Sequence, residues 1–128
     1  MVTERKKLQR AKLIQRIRTV ERTRSAAVAS DAEATRMRLF AVAERTRSLA
    51  EHYSQRNGDM LAGELRSGQA MREQLQKLTH LSTEQATAAE QHSQAKLQEF
   101  AQSDQRMRKA EESKRELARR IVENLAKA

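Results

Sequence analysis

The sequence predicts an all-α fold, an antiparallel two-helix coiled-coil hairpin, from three observations. The 128-residue chain contains no proline. Its three glycines, Gly58, Gly63 and Gly68, all fall within residues 55–68, near the midpoint. Outside that segment the sequence is dominated by helix formers. Glycine weakens a helix interior by about 1 kcal/mol relative to alanine and readily takes positive φ. One cluster of breakers in a chain otherwise free of them gives two long helices and one turn, and a short connection sets consecutive helices antiparallel. The expected boundaries are a helix over 4–56, a turn over 57–67 and a helix over 68–127, forming a single domain.

The first helix carries a 3-4 spaced row, Leu13, Ile17, Val20, Arg24, Ala27, Asp31, Ala34, Arg38 and Ala41. It begins apolar and then degrades. A second row, Leu39, Val42, Thr46, Leu49 and Tyr53, takes over towards the turn, as a 3.6-residue helix drifts against an imperfect 3.5-residue repeat. Both rows are read as seam, which makes the seam weak at Arg24, Asp31 and Arg38. At the turn, Asn57-Gly58 is a natural helix stop, with Gly58 able to take a left-handed cap; Asp59 or Ser67 can start the next helix by accepting backbone N–H bonds. The second helix offers Met71, Leu75, Leu78 and Leu81, then Ala89, Ala95, Leu97 and Phe100, then Met107, Ala110, Leu117, Ile121 and Leu125. Antiparallel pairing is expected to set Leu13 and Ile17 against residues 117–125, and Leu49 and Tyr53 against Leu75 and Leu78.

Composition limits what the chain can be. The aromatics are Phe40, Tyr53 and Phe100 alone, too little bulk for a globular core but enough for a narrow seam between long helices. Charged residues make up 34% and the net charge is +9, which also suits a disordered chain; the density of helix formers favours helix. Without cysteine there is no disulfide or thiol chemistry, which fits a reducing compartment. No apolar run approaches the ~20 residues that span a bilayer, and the N-terminus lacks the apolar stretch of a secretory signal. Its Arg-rich, Ser-containing start superficially suits a mitochondrial transit peptide, but Glu4, Glu21 and the unbroken helical pattern weigh against that.

Charge is unevenly distributed. Residues 1–24 carry nine Lys and Arg against Glu4 and Glu21, a net of +7; residues 106–128 carry eight against four, a net of +4; the remainder carries −2. A hairpin brings the two termini together, so its terminal end is basic. That end has three readings: a solvated helix surface, a phosphate-binding surface for nucleic acid, or a docking surface for an acidic protein. No helix-turn-helix, leucine-zipper basic region or aromatic platform supports the second. No catalytic constellation is present. His52, His80 and His92 are too dispersed to converge on zinc, and the five-residue spacing of the glycines matches no phosphate-binding loop. The expectation is a non-enzyme without cofactor or metal. Leu49, Tyr53, Leu75 and Leu78 form an apolar stripe near the turn, either seam or a partner contact; Tyr53 is its most informative member, because Tyr is enriched at interface hot spots.

The most specific stretch is residues 51–63, EHYSQRNGDMLAG, with Tyr53 shortly before an Asn/Ser-containing turn, then Asp59-Met60 and the small pair Ala62-Gly63. With the basic, cysteine-free hairpin pattern, it resembles the flagellar export protein family FliJ and, more distantly, the stalk proteins of virulence type III secretion systems. The resemblance implies a coiled coil like the two-helix shaft of the ATP synthase γ subunit. Its terminal end would enter the pore of a hexameric export ATPase (FliI), with Arg10, Arg16, Arg119 and Arg120 facing the ring. Its tip would meet the cytoplasmic domain of the export-gate protein FlhA through Leu49, Tyr53 and Leu75. The second tip aromatic common in the family is absent here. The resemblance further implies handling of export chaperones and a cytoplasmic location, peripheral to the inner membrane through the export apparatus. The alternatives are a basic coiled coil that binds nucleic acid and a passive coiled-coil spacer.

Overall fold

The computed structural model describes residues 2–55 and 62–127, and the side chains of 2–55 and 66–127. It is entirely helical over that range. Helix α1 runs Val2–Gln55 and helix α2 runs Ala62–Lys127, packed together as an antiparallel two-helix hairpin. Local interactions are compatible with both long helices. Thr19, Thr23, Thr35, Thr46, Thr79, Thr83 and Thr87 would compete with a helix through their hydroxyls, but each donates instead to the carbonyl four residues back, at 2.7–3.0 Å. Glu111–Arg115 at 2.6 Å and Glu116–Arg120 at 3.0 Å place the acid N-terminal to the base at i,i+4, the favourable order for the helix dipole.

Helix α2 begins at Ala62 rather than at residue 68. Gly63 and Gly68 are therefore helical, Ser67 lies inside the helix and caps nothing, and no described glycine has positive φ. Gly68 is buried at a position that faces α1, where lack of a side chain suits close approach of two backbones. The stop at Asn57-Gly58 and the capping role of Asp59 lie outside the described residues.

Two compact units make up the hairpin: a terminal unit of residues 1–30 with 95–128, and a second unit of residues 31–94. In the terminal unit, Asn124 Nδ2 donates to Glu4 Oε2 at 2.9 Å, Arg22 Nε lies 2.8 Å from Asp104 Oδ1, and Ser103 Oγ donates to Ser25 Oγ at 3.3 Å. In the second unit, Ser93 Oγ donates to Glu33 Oε2 at 2.9 Å. Partner numbers fall as α1 numbers rise, as antiparallel packing requires.

The seam itself is displaced from the expected one. On α1 the buried and half-buried positions include 4, 8, 11, 15, 18, 22, 25, 29, 32, 36, 39, 43, 46, 50 and 53, which alternate by three and four, with 21, 26 and 33 half-buried on the flanks of that row. On α2 the corresponding row is 68, 72, 75, 79, 82, 86, 89, 93, 96, 100, 103, 107, 110, 114, 117 and 121, with 104, 111 and 118 half-buried beside it. This is a heptad seam filled mainly with small and polar side chains. Among the described residues, the buried hydrophobic side chains are alanines, Ala11, Ala29, Ala32, Ala89 and Ala110, joined by Thr46, Ser82 and Ser93. The row from Leu13 to Ala41 is not seam. It lies on the far side of α1, with Leu13 57% exposed, Ile17 56% and Val20 49%, so neither Leu13 nor Ile17 packs against residues 117–125. Arg24, Asp31 and Arg38 weaken nothing, because they are on that outer face too. In the second row Leu39, Thr46 and Tyr53 are in the seam, whereas Val42 and Leu49 are exposed. On α2, Leu75, Ala89, Phe100, Met107, Ala110, Leu117 and Ile121 are in the seam; Met71, Leu78, Leu81, Ala95, Leu97 and Leu125 are outside it.

Candidate interaction surfaces

The terminal unit concentrates the positive charge. Residues 1–30 and 95–128 hold 18 Lys and Arg against 8 Asp and Glu, a net of +10, while residues 31–94 hold 8 against 9, a net of −1. Much of the charge on α2 is already matched. Arg119 lies 3.8 Å from Glu123, Arg120 lies 3.0 Å from Glu116, Arg115 pairs with Glu111, and Arg108 with Asp104 at 3.1 Å. Asp104 also takes Arg22 from across the seam, with a charge contact at Oδ1 whose alignment falls short of a hydrogen bond. On α1, Arg18 pairs with Glu21 at 3.0 Å. Lys6, Arg10, Arg16 and Arg24 differ: all four are exposed and, among the described residues, none has an ion-pair partner. Of the four arginines expected to face a partner ring, Arg10 and Arg16 are thus unpaired on the outer side of α1, whereas Arg119 and Arg120 are held by their own helix. The four share the terminal unit but not one face.

In the second unit the tip-proximal trio is divided. Leu49 is 51% exposed, off the seam, while Tyr53 and Leu75 are half-buried at seam positions. Leu78, 49% exposed, is also off the seam. An open groove of about 230 Å³ runs beside Phe40, flanked by Arg36, Arg47, Thr87 and Glu90. Its guanidinium groups are engaged. Arg36 grips Glu33 at 2.6 and 2.9 Å, and Arg47 grips Glu44 at 2.6 and 2.7 Å, so both are held more firmly protonated than an ordinary arginine. The Arg36 hydrogen bonds, with that of Ser93, lower the pKa of Glu33 from 4.5 to about 2. Seated between a buried serine on α2 and a guanidinium on its own helix, Glu33 is the polar centre of this unit, which sequence reasoning missed; the i,i+3 spacing of Glu33 and Arg36 was its one local signal.

Among the described residues, no group of three His, Cys, Asp or Glu side chains converges as metal ligands do, and no helix is long and apolar enough to cross a membrane. His80 contacts Glu84 at 3.0 Å on the surface. Comparison with protein-family models, curated proteins and solved structures yields no match.

Proposed function

We propose that this protein is a non-enzymatic shaft of the flagellar-type (type III) protein export apparatus, linking a FliI-like hexameric ATPase to a FlhA-like export gate and handling export chaperones. The observation that carries the reading is the charge distribution: the unit that holds both termini has a net charge of +10 and the unit towards the turn −1. A hairpin whose terminal unit is basic suits a ring lined with carboxylates, because complementary potentials steer encounter and fix orientation. The resemblance of residues 51–63 to the FliJ family supplies the identity of that ring. In this role the protein sits in the cytoplasm, peripheral to the inner membrane, and hydrolyses nothing itself.

The test is ATP hydrolysis by the export ATPase with and without this protein. The expected result is stimulation by the wild-type chain and its loss on charge reversal at Arg10, Arg16, Arg119 and Arg120 together, with a larger effect at low salt because screening shortens the reach of the field. Unchanged stimulation by a variant of normal helicity would remove the ring from the terminal end.

A further inference from the structure

We propose that the outer face of α1 in the terminal unit docks on an anionic lipid surface. The face carries exposed aliphatic and cationic side chains side by side. Leu13, Ile17 and Val20 form one row at i, i+4 and i+7, with Val2 at 70% exposure upstream and Val28 at 46% downstream. Val2 to Val28 spans about 40 Å of helix. Between these aliphatic side chains stand Lys6, Arg10, Arg16 and Arg24, exposed and without an ion-pair partner among the described residues. Glu4 is in the seam, bonded to Asn124, and Glu21 is on the flank, paired with Arg18; Asp31 is the acid that continues the outer row, just past Val28.

The occupant follows from that chemistry. Exposed aliphatic side chains with cations beside them suit the headgroup boundary of an anionic bilayer, where the apolar side chains enter shallowly and the Arg and Lys stems reach the headgroups. Each cation near an anionic leaflet adds to the attraction. Helix α2 covers the opposite side of α1, so docking leaves the hairpin intact. A second copy fits poorly, because two units of +10 repel. Nucleic acid fits poorly as well, since a phosphate backbone gives five aliphatic side chains nothing to bury against. The same face carries Arg10 and Arg16, so a lipid-docked terminal unit and one inserted in a ring are alternative states; lipid docking needs no export ATPase, so it and the export reading fail separately.

The experiment uses the full chain, with vesicles of phosphatidylcholine alone and with added phosphatidylglycerol, read by co-sedimentation. Binding is expected to the anionic vesicles only, and weaker at about 0.15 M salt, where the Debye length is about 8 Å. The triple substitution Leu13→Ala, Ile17→Ala, Val20→Ala is expected to lower the partition coefficient at least about tenfold through lost apolar burial. Lys6→Gln with Arg24→Gln should also weaken binding. The chain has no tryptophan, so Ile17→Trp gives a clean reporter whose emission shifts to the blue on anionic vesicles alone. The proposal is overturned by no binding, by equal binding to neutral vesicles, or by full binding of the triple variant. It is equally overturned if inorganic phosphate at about 0.15 M ionic strength displaces the protein where chloride does not, or if light scattering gives a dimer that the triple substitution dissolves. Should the triple variant fold poorly, the Lys6/Arg24 variant and the tryptophan reporter decide the matter.

Discussion

Two substitutions of opposite kind test where the seam of α1 lies. The first removes bulk from the outer row, through Leu13→Ala, Ile17→Ala and Val20→Ala together. Each side chain is about half exposed, so the hairpin gains only the other half of its burial. A full burial contributes about 1.5–3 kcal/mol, and the methyl that alanine keeps, with its higher helix propensity, recovers much of what half-burial contributed. The expected loss is about 1 kcal/mol for the triple, or about 3–5 °C in Tm for a chain of this length. The second adds bulk to the seam, through Ala29→Leu at a position 5% exposed. Overpacking a close contact costs about 1–3 kcal/mol, about 4–12 °C. Circular dichroism at 222 nm through a thermal scan reads both variants. If the outer row were the core, its three truncations would cost about 2–5 kcal/mol each and unfold the hairpin outright. A triple variant that melts far below Ala29→Leu therefore refutes the assigned seam.

Further outcomes are open to measurement. Tyr53→Ala at its half-buried seam position should lower the melt by about 1–2 kcal/mol, part of the full cost of truncating a core aromatic. Leu49→Ala should leave the melt within about 0.5 kcal/mol and, on the proposed function, weaken binding to a FlhA-like gate; a stable Tyr53→Ala hairpin that alone loses such binding would reverse these two roles. The pKa of Glu33 is lowered on folding, so its contribution to stability is full above about 4.5 and is lost as pH falls from there to about 2. Carboxyl NMR should find its midpoint near the lower value, and Ser93→Ala should raise it; a wild-type midpoint near 4.5 counts against the Ser93–Glu33–Arg36 cluster. With alanines as its buried apolar residues, the isolated hairpin should melt below about 80 °C, and a cooperative transition above that would contradict so thin a seam.

The hairpin was legible in the sequence because the signals for it are coarse: no proline, and glycine in one place. The face that α1 presents to α2 was not, and the reason is physical. Hydropathy singles out Leu13, Ile17 and Val20, while the row that packs reads Leu8, Ala11, Gln15, Arg18, Arg22, Ser25, Ala29 and Ala32. Small size, which lets two helices approach, carries no large hydropathy signal. The three-four alternation from residue 4 to residue 53 is one of burial and shows only in the structure. From Phe100 onwards the seam of α2 includes the large apolar residues Phe100, Met107, Leu117 and Ile121 among smaller and polar ones, and at those four hydropathy and packing agree. Gly68 misled in the same way, since glycine marks a turn in one setting and a close helix contact in another. The basic character of the terminal unit was visible in the composition, but the division between matched and unmatched cations needed the geometry. Arg10 and Arg119 look alike as letters, and only one has a carboxylate within reach.

Short seam side chains also have a mechanical consequence. Interlocking leucines resist sliding of one helix along another at every layer; a track of alanine and serine is smooth. Where the seam is lined by alanine and serine, resistance to axial shear falls on the polar pins, Glu4–Asn124, Arg22–Asp104 and Ser25–Ser103 in one unit and Glu33–Ser93 in the other. Pulled along its axis, α1 should yield in jumps of one heptad, about 10 Å, each jump releasing a pin, where a leucine-packed coil would give a continuous rise in force.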